Sequence, residues 1–161
     1  MNNVKKLFLI VALMAMSGVY AFAQTTGMKI GAVHPDLKMK ITRCEAAGKT
    51  VIIDFVFENV GSNDVNLRVW GGNRSIAYDD EGNVYSGEFI QVKFGNTGLA
   101  NWDINTTLPS GVPLKGRIQI EGVPESTTIF RRIDLQVESR NWNLDKKIKI
   151  SNIPINREGD E

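Results

Sequence analysis

The sequence predicts an all-β protein: an immunoglobulin-like, antiparallel, two-sheet β-sandwich of about seven to nine strands, preceded by a signal peptide. Apolar residues alternate with polar residues in many short runs, and turn-forming residues separate these runs at intervals of roughly eight to twelve residues. No convincing helical segment follows the first 23 residues. Because no long helix is predicted to cover a sheet, two sheets are expected to pack face to face.

The N-terminus has the layout of a secretory signal peptide. Lys5 and Lys6 precede an apolar run over 7–16, and Ala21-Phe22-Ala23 is a small-x-small cleavage site. The alternative is a membrane anchor, but a spanning helix needs about 20 consecutive apolar residues, and Ser17-Gly18 interrupts this run. We therefore expect cleavage after Ala23, no membrane span in the mature chain, and export to the periplasm or the extracellular space.

The mature chain has a length that suits one domain. Removing 23 of 161 residues leaves 138, which we divide into a flexible lead-in (24–35), an immunoglobulin-like sandwich (36–155) and a polar tail (156–161). The full chain carries 19 Lys and Arg against 18 Asp and Glu, so the mature chain, without Lys5 and Lys6, carries 17 against 18. This balance argues against non-specific nucleic-acid binding, which requires clustered cations.

The strand around which the domain is organised is predicted over 50–60. Val51, Ile53, Phe55 and Phe57 fall on one side of this run at a spacing of two. A second alternating run, over 37–43, precedes it, and the connection contains Gly48. Two such runs joined by a short Gly-containing segment predict a β-hairpin.

The remaining strands are predicted from the same alternation and from the turns between them. The run over 114–121, which follows the Pro109-Ser110-Gly111 turn, is typical of a strand with one wet face. The region over 95–105 gives the weakest pattern. Further strands are expected over 65–70, 75–79, 84–86, 88–94, 106–108, 128–138 and 146–153.

Cohesion must come from packing, because Cys44 is the only cysteine and the monomer has no disulfide. Phe55, Phe57, Ile118 and Leu135 are predicted to point into the core. Cys44 is open to two interpretations, a reactive thiol and a small buried hydrophobe, and its place in a strand favours the second. The only histidine, His34, would have to approach Cys44 for a catalytic pair.

Three segments resemble the small secreted bacterial immunoglobulin-like domains that are grouped with an immunoprotective extracellular antigen of mycobacteria. They are Val51-x-x-x-Phe55-x-Phe57-x-Asn59, Asp79-Asp80-Glu81-Gly82-Asn83-x-Tyr85, and Leu108-Pro109-Ser110-Gly111 followed by Gly116-x-Ile118-x-Ile120-x-x-Val123-Pro124. The resemblance covers about residues 37–153. It implies an immunoglobulin-like sandwich outside the cytoplasm and supplies no catalytic residues.

The acidic segment Asp79-Asp80-Glu81-Gly82-Asn83 is a candidate calcium loop, because Ca²⁺ takes six to eight oxygen ligands. However, its spacing is not that of an EF-hand loop, and Asp, Asn and Gly are also the residues of a hairpin turn. We favour the turn. We therefore predict no metal site and no cofactor.

Three tryptophans are speculative ligand-binding residues, since Trp70, Trp102 and Trp142 all fall in loops or near predicted strand ends. Exposed rings there would stack on sugars or fill a partner's pocket. The alternative is that the rings cap the ends of the core.

No nucleophile, base or metal-ligand pattern emerges, so we predict no catalytic residues and no enzyme activity. The leading hypothesis is an exported non-catalytic module, binding or structural at the cell envelope, which engages a protein or glycan through loops or a strand edge. One alternative is a small secreted hydrolase using a carboxylate pair in a deep pocket. Another is a subunit that adds a strand to a neighbour's sheet edge.

Overall fold

The computed structural model describes residues 27–157, and the predicted two-sheet β-sandwich is confirmed. The expected signal peptide (1–23) and the end of the polar tail lie outside the described residues. Within residues 27–157, no helix has the length and apolar character needed to cross a membrane.

Twelve strands form the two sheets, and nine of the twelve are longer than two residues. Of the three two-residue strands, β6 falls in the strand expected over 84–86, whereas β1 and β12 were not expected. The strands are β1 (Lys29–Ile30), β2 (Leu37–Ala47), β3 (Thr50–Asn59), β4 (Val65–Trp70), β5 (Ile76–Asp79), β6 (Val84–Tyr85), β7 (Ile90–Phe94), β8 (Asp103–Leu108), β9 (Leu114–Ile120), β10 (Ile129–Ser139), β11 (Leu144–Pro154) and β12 (Asn156–Arg157).

Sheet A contains seven strands and is built around β10. Its main order is β1-β11-β10-β4-β8, and β5 with β6 continues the edge of β10 beyond β4. Every pairing in this sheet is antiparallel. Because β10 pairs with β11 along almost its whole length, these two strands form the central hairpin of the sheet.

Sheet B contains five strands in the order β12-β2-β3-β9-β7. The predicted β2–β3 hairpin is confirmed, with Gly48 at φ +58° in the connection, where a residue without a Cβ is favoured. The short strand β12 is parallel to β2, and it falls in the segment expected as a polar tail. Likewise, β1 pairs with β11 from within the segment expected as a lead-in.

A β-bulge in β2 brings Cys44 into the core. The pairing register shifts between Ile41 and Arg43, so Thr42 is an extra residue opposite β3. Without the bulge, the alternation that turns Leu37, Met39 and Ile41 inward would place residue 44 on the outer face of sheet B. Because the bulge changes the phase, Cys44 pairs with Ile53 and is buried.

The centre of β10, which falls in the strand expected over 128–138, is covered on both faces. Asp134 and Gln136 point away from the core and are nevertheless buried. The segment 71–75 leaves the sheet between β4 and β5 and includes a short 3-10 helix over Gly72–Arg74. In this gap between β4 and β5, the buried Ser75 hydroxyl replaces a strand partner of β10. It accepts a hydrogen bond from the Gln136 amide (2.9 Å) and donates one to the Trp70 carbonyl (2.6 Å).

The core lies between the sheets and holds the four side chains predicted there: Phe55, Phe57, Ile118 and Leu135 are at most 1% exposed. Phe55 and Phe57 pack against Phe94 with ring centroids 5.6 and 5.8 Å apart. A side chain at position 116 would clash with the Phe55 ring, so only glycine fits opposite it in β9. Sheet packing thus supplies the cohesion.

Candidate functional site

The three tryptophans lie in different environments. Trp102 is 64% exposed in the loop before β8, whereas Trp70 and Trp142 are half-buried. The carbonyl of Trp102 accepts a hydrogen bond from Gly71 just beyond the end of β4, while the neighbour of Trp142, Asn141, binds the Asn66 amide at the start of β4. Trp102 and Trp142 are therefore close to opposite ends of this strand and do not form one aromatic surface.

Trp70 supports two cations on the outer face of sheet A. The guanidinium carbon of Arg74 lies 4.7 Å from the Trp70 ring centroid, and that of Arg68 lies 5.7 Å from it. These distances are typical of cation–π contacts. The ring thus positions guanidinium groups instead of presenting a free face to a sugar.

Trp142 belongs to the β10–β11 turn, Arg140-Asn141-Trp142-Asn143. Asn143 has φ +48°, and its amide donates to the Arg140 carbonyl (3.2 Å), which closes the turn. The Trp142 ring stacks on His34, with centroids 4.4 Å apart and 15° between the planes. This contact fixes the turn against the chain segment that precedes β2.

A polar groove on the outer face of sheet A begins at this turn; we call it the sheet-A groove. Its volume is about 640 Å³, which is within the range of small-molecule sites. It forms because the strand register places Arg68 between Asn105 on β8 and Glu138 on β10. Its lining residues are Asn66, Arg68, Asn105, Thr106, Thr107, Glu138, Ser139, Arg140 and Asn141.

Cross-strand contacts hold the floor of the groove in place. The Arg68 Nε donates to Asn105 Oδ1 (3.1 Å), and Thr107 Oγ1 donates to Asn66 Oδ1 (3.3 Å). The Ser139 hydroxyl is buried, and it has no hydrogen-bond partner within residues 27–157. The groove therefore presents amide and hydroxyl groups at fixed positions.

Glu138, the one carboxylate in the groove, is engaged by arginines. It forms an ion pair with Arg74 and lies 3.8 Å from Arg68. Arg74 also pairs with Asp145 (3.4 Å), and Arg68 pairs with Asp103 (3.2 Å). Both carboxylate oxygens of Glu138 thus face guanidinium groups.

A second depression of about 640 Å³, the end cavity, lies on the other side of the turn. Asn141 lines both depressions, and a smaller one of about 250 Å³ shares Asn143 with the end cavity and Glu138 with the groove. Three depressions thus converge on the β10–β11 turn. The end cavity is lined by His34, Asp36, Gly61, Ser62, Asn63, Asp64, Val65, Asn141, Trp142 and Asn143.

The acidic segment 79–83 has the geometry of a turn. Asp79 is buried, and its carboxylate accepts hydrogen bonds from the amides of Glu81 (3.0 Å) and Asn83 (2.8 Å), from the Tyr85 hydroxyl (2.7 Å) and from the Thr127 hydroxyl (3.2 Å). Burial raises the pKa of Asp79, but the hydrogen bonds from Asn83 and Tyr85 outweigh it and hold the pKa below its usual value. Protein donors already occupy this carboxylate.

No metal-binding cluster of three or more His, Cys, Asp or Glu side chains occurs in the part of the chain that the structure describes. Cys44 is buried, and burial raises its thiol pKa to about 12. The thiol therefore stays protonated at neutral pH, which agrees with the interpretation of Cys44 as a small buried hydrophobe.

The outer edge of β8 is open. β8 is the last strand of sheet A, and within residues 27–157 no strand pairs with its outer side. Its outer side presents backbone donors and acceptors that no strand pairs in the described part of the chain. This edge borders the sheet-A groove through Asn105, Thr106 and Thr107.

Sequence reasoning found Trp142 but missed the polar residues around it. Asn66, Asn105 and Asn141 come from three separate parts of the chain, and only the strand register brings them together. The local signal was the Asn-Trp-Asn segment between two strong strands, because a connection with exposed amides around an aromatic ring is an unusual hairpin turn.

No protein-family model and no curated protein matches this chain. The solved structures that are similar to it include a glycoside hydrolase and a PapD-like domain. A family 123 glycoside hydrolase from Clostridium perfringens, from a study of glycolipid glycan hydrolysis, aligns with TM-score 0.43 and 11% identity over 81% of this chain and 27% of the hydrolase. A PapD-like (ASH) domain of human CEP192 aligns with TM-score 0.37 and 15% identity over 79% and 88%. The chain spans about a quarter of the hydrolase's length, and similarity at these values carries no functional information.

Proposed function

We propose that this protein is an exported, non-catalytic immunoglobulin-like module of the cell envelope. It binds its ligand through the β10–β11 turn and the adjoining edge of sheet A. The observation that carries the proposal is the convergence of three polar depressions on one turn, of which the largest two share Asn141. Support for export comes from the signal-peptide pattern of residues 1–23 and from the resemblance to secreted immunoglobulin-like domains.

The lining of the sheet-A groove favours a glycan over an apolar ligand. Asn66, Asn105 and Asn141 carry amides that both donate and accept, as vicinal sugar hydroxyls do. Thr106 and Thr107 add hydroxyl groups. A polar protein surface is the second class of ligand that such a lining accommodates.

One observation favours the hydrolase alternative. The end cavity contains two carboxylates, Asp36 and Asp64, together with the chain's only histidine. However, Asp64 Oδ1 accepts the Ser110 amide (2.9 Å), and His34 Nδ1 accepts the Asp36 amide (3.1 Å). Both contacts tie these residues to the loop structure, so we rank the hydrolase second.

An array of neutral and acidic oligosaccharides tests the binding function. The informative variant combines Asn105→Ala with Thr107→Ala, two exposed residues of the groove. We expect the wild-type protein to retain neutral oligosaccharides and the variant to bind them about tenfold more weakly or worse, since two hydrogen bonds are lost. The matched control is Gln91→Ala with Gln119→Ala, a cross-strand pair on the outer face of sheet B.

Two results would overturn this assignment. One is equal loss of binding in the groove variant and in the control. The other is release of sugar from chromogenic glycosides, abolished by Asp36→Asn or Asp64→Asn, which would establish the hydrolase instead. Capture of a protein and no oligosaccharide, sensitive to the groove variant, would keep the site and replace the glycan.

A further inference from the structure

The outer face of sheet B carries a basic stripe, which we define as Lys40, Arg43, Lys93, Lys115 and Arg117. The register of the sheet aligns these residues in two neighbouring rows. In the first row Lys93 is opposite Arg117, and Asp54 lies between Arg117 and Arg43. In the second row Val56 lies between Lys115 and Lys40. At about 4.8 Å between strands, the first row is about 14 Å long.

Asp54 is the only carboxylate in these rows, and two arginines already neutralise it. Its Oδ1 accepts Arg117 Nε (2.7 Å), and its Oδ2 accepts Arg43 Nε (2.8 Å). Burial raises the pKa of Asp54, but the hydrogen bonds and charges of the two arginines lower the pKa by a larger amount. The pKa of Asp54 is therefore below its usual value. Arg43 also pairs with Glu45 (3.1 Å), in the next row, so five cations against two carboxylates leave a net charge of +3.

The lysines of the stripe have no carboxylate partners. Among residues 27–157, no carboxylate oxygen lies within 4.0 Å of the ammonium group of Lys40, Lys93 or Lys115. Lys93, Lys115 and Arg117 surround an open depression of about 440 Å³, and Val56 and Gly95 also line it. This depression is a cationic groove with charges that remain available.

We propose that this stripe is a second binding surface, for a linear acidic polysaccharide. Charge complementarity selects a polyanion, and a groove that crosses four strands fits an extended chain. A membrane surface fits less well, because none of the large exposed hydrophobic side chains lines the groove. These side chains are Val60, Val84, Phe89, Leu99, Trp102 and Val112. Nucleic acid is disfavoured because no aromatic side chain is exposed there to stack on bases.

Retention of the purified protein on immobilised polygalacturonate tests this inference, which is independent of the ligand of the sheet-A groove. We expect binding that weakens as sodium chloride rises, and no binding to neutral dextran. Lys93→Ser with Lys115→Ser is expected to weaken retention about tenfold or more at low salt. Lys40→Ser with Lys115→Ser changes two exposed side chains, so it should weaken retention similarly with no effect on folding.

The matched control removes the same charge elsewhere. Lys146 and Lys147 are exposed on β11 of sheet A, and their replacement by serine should change retention by less than about twofold. Equal losses in the control and in both stripe variants would reduce the effect to net charge and overturn the proposal. Absence of wild-type retention would also overturn it, as would stronger binding to phosphatidylglycerol vesicles or double-stranded DNA than to polygalacturonate.

Discussion

At the scale of single residues, two kinds of buried side chain hold this sandwich together. Large apolar side chains such as Phe55 fill the space between the sheets. Buried polar side chains, of which Asp79 and Asn59 are the clearest, fix the loops at the ends of the strands. Asn59 is fully buried, donates to the carbonyls of Asn63 (2.8 Å) and Leu108 (3.2 Å), and accepts the Gly61 amide (3.0 Å). Asn59 thus connects the loop that follows β3 to the end of β8.

Phe55→Ala tests the apolar core. The ring is 1% exposed and contacts two other phenylalanines, so its removal leaves a cavity that Gly116 cannot fill. We expect a loss of about 3 to 5 kcal/mol in the free energy of unfolding, measured by urea denaturation. Val56→Ala, on the outer face of the same strand, is the control and should cost clearly less. A urea midpoint close to that of the wild type would contradict the assignment of Phe55 to the core.

Asp79→Asn tests the acidic turn. The folded pKa of Asp79 is lowered, so its charged network stabilises the protein at pH values above about 4, and this contribution is lost as the pH falls through the folded pKa. The variant should lose about 1 to 3 kcal/mol at neutral pH. The stability of the variant should also depend less on pH below pH 5 than that of the wild type. Some pH dependence remains in the variant, because the pKa values of Asp54 and Asp80 are also lowered.

Thermal melts with and without a chelator complete this test. Because protein donors occupy the Asp79 carboxylate, we expect the same midpoint in both conditions. A lower midpoint with chelator would show that the loop holds calcium after all.

At the scale of the elements, the β2 bulge shows how one residue decides which side chains face the core. Thr42 is the extra residue, and its deletion should leave a regular ladder in which Ile41 and Cys44 still point inward. Deleting Lys40 instead moves Leu37 and Met39 to the outer face. The bulge thus makes one position of this strand tolerant of deletion and its neighbours intolerant.

Thermal denaturation and the thiol reactivity of Cys44 measure this difference. We expect the Thr42 deletion to melt near the wild type, since only its hydrogen bond to the Asp54 carbonyl is lost. The Lys40 deletion should cost about 3 kcal/mol or more through lost apolar burial. Rapid labelling of Cys44 in the folded Thr42 deletion would show that the thiol had turned outward and would contradict the bulge argument.

At the scale of the whole molecule, local pattern predicted the elements but not the sites they form. The alternation over Val51, Ile53, Phe55 and Phe57 was sufficient to predict β3, because its period is a property of neighbouring residues. Burial of both faces of β10 was not predictable. It depends on side-chain contacts across sheet A, such as that of Gln136 with Asp145 on β11. The hydrogen bond from the Gln136 amide to the Ser75 hydroxyl likewise joins residues that are 61 positions apart.

The candidate surfaces arise from the same long-range pairing. The basic stripe draws its residues from β2, β7 and β9 and crosses β3. Each of these strands alone has the pattern of an ordinary solvated strand face. The stacking of His34 on Trp142 joins residues that are 108 positions apart. Such contacts follow from strand order, which alternation does not encode.

Chemical-shift mapping tests the central claim, that the β10–β11 turn is the binding surface, most directly. Isotope-labelled protein would be titrated with the neutral oligosaccharide that the array retains most strongly. We predict that the largest shifts fall on residues 140–143, on Asn66 and on 105–107. Shifts confined to other loops, such as 79–83, or no shifts at saturating oligosaccharide, would contradict the claim.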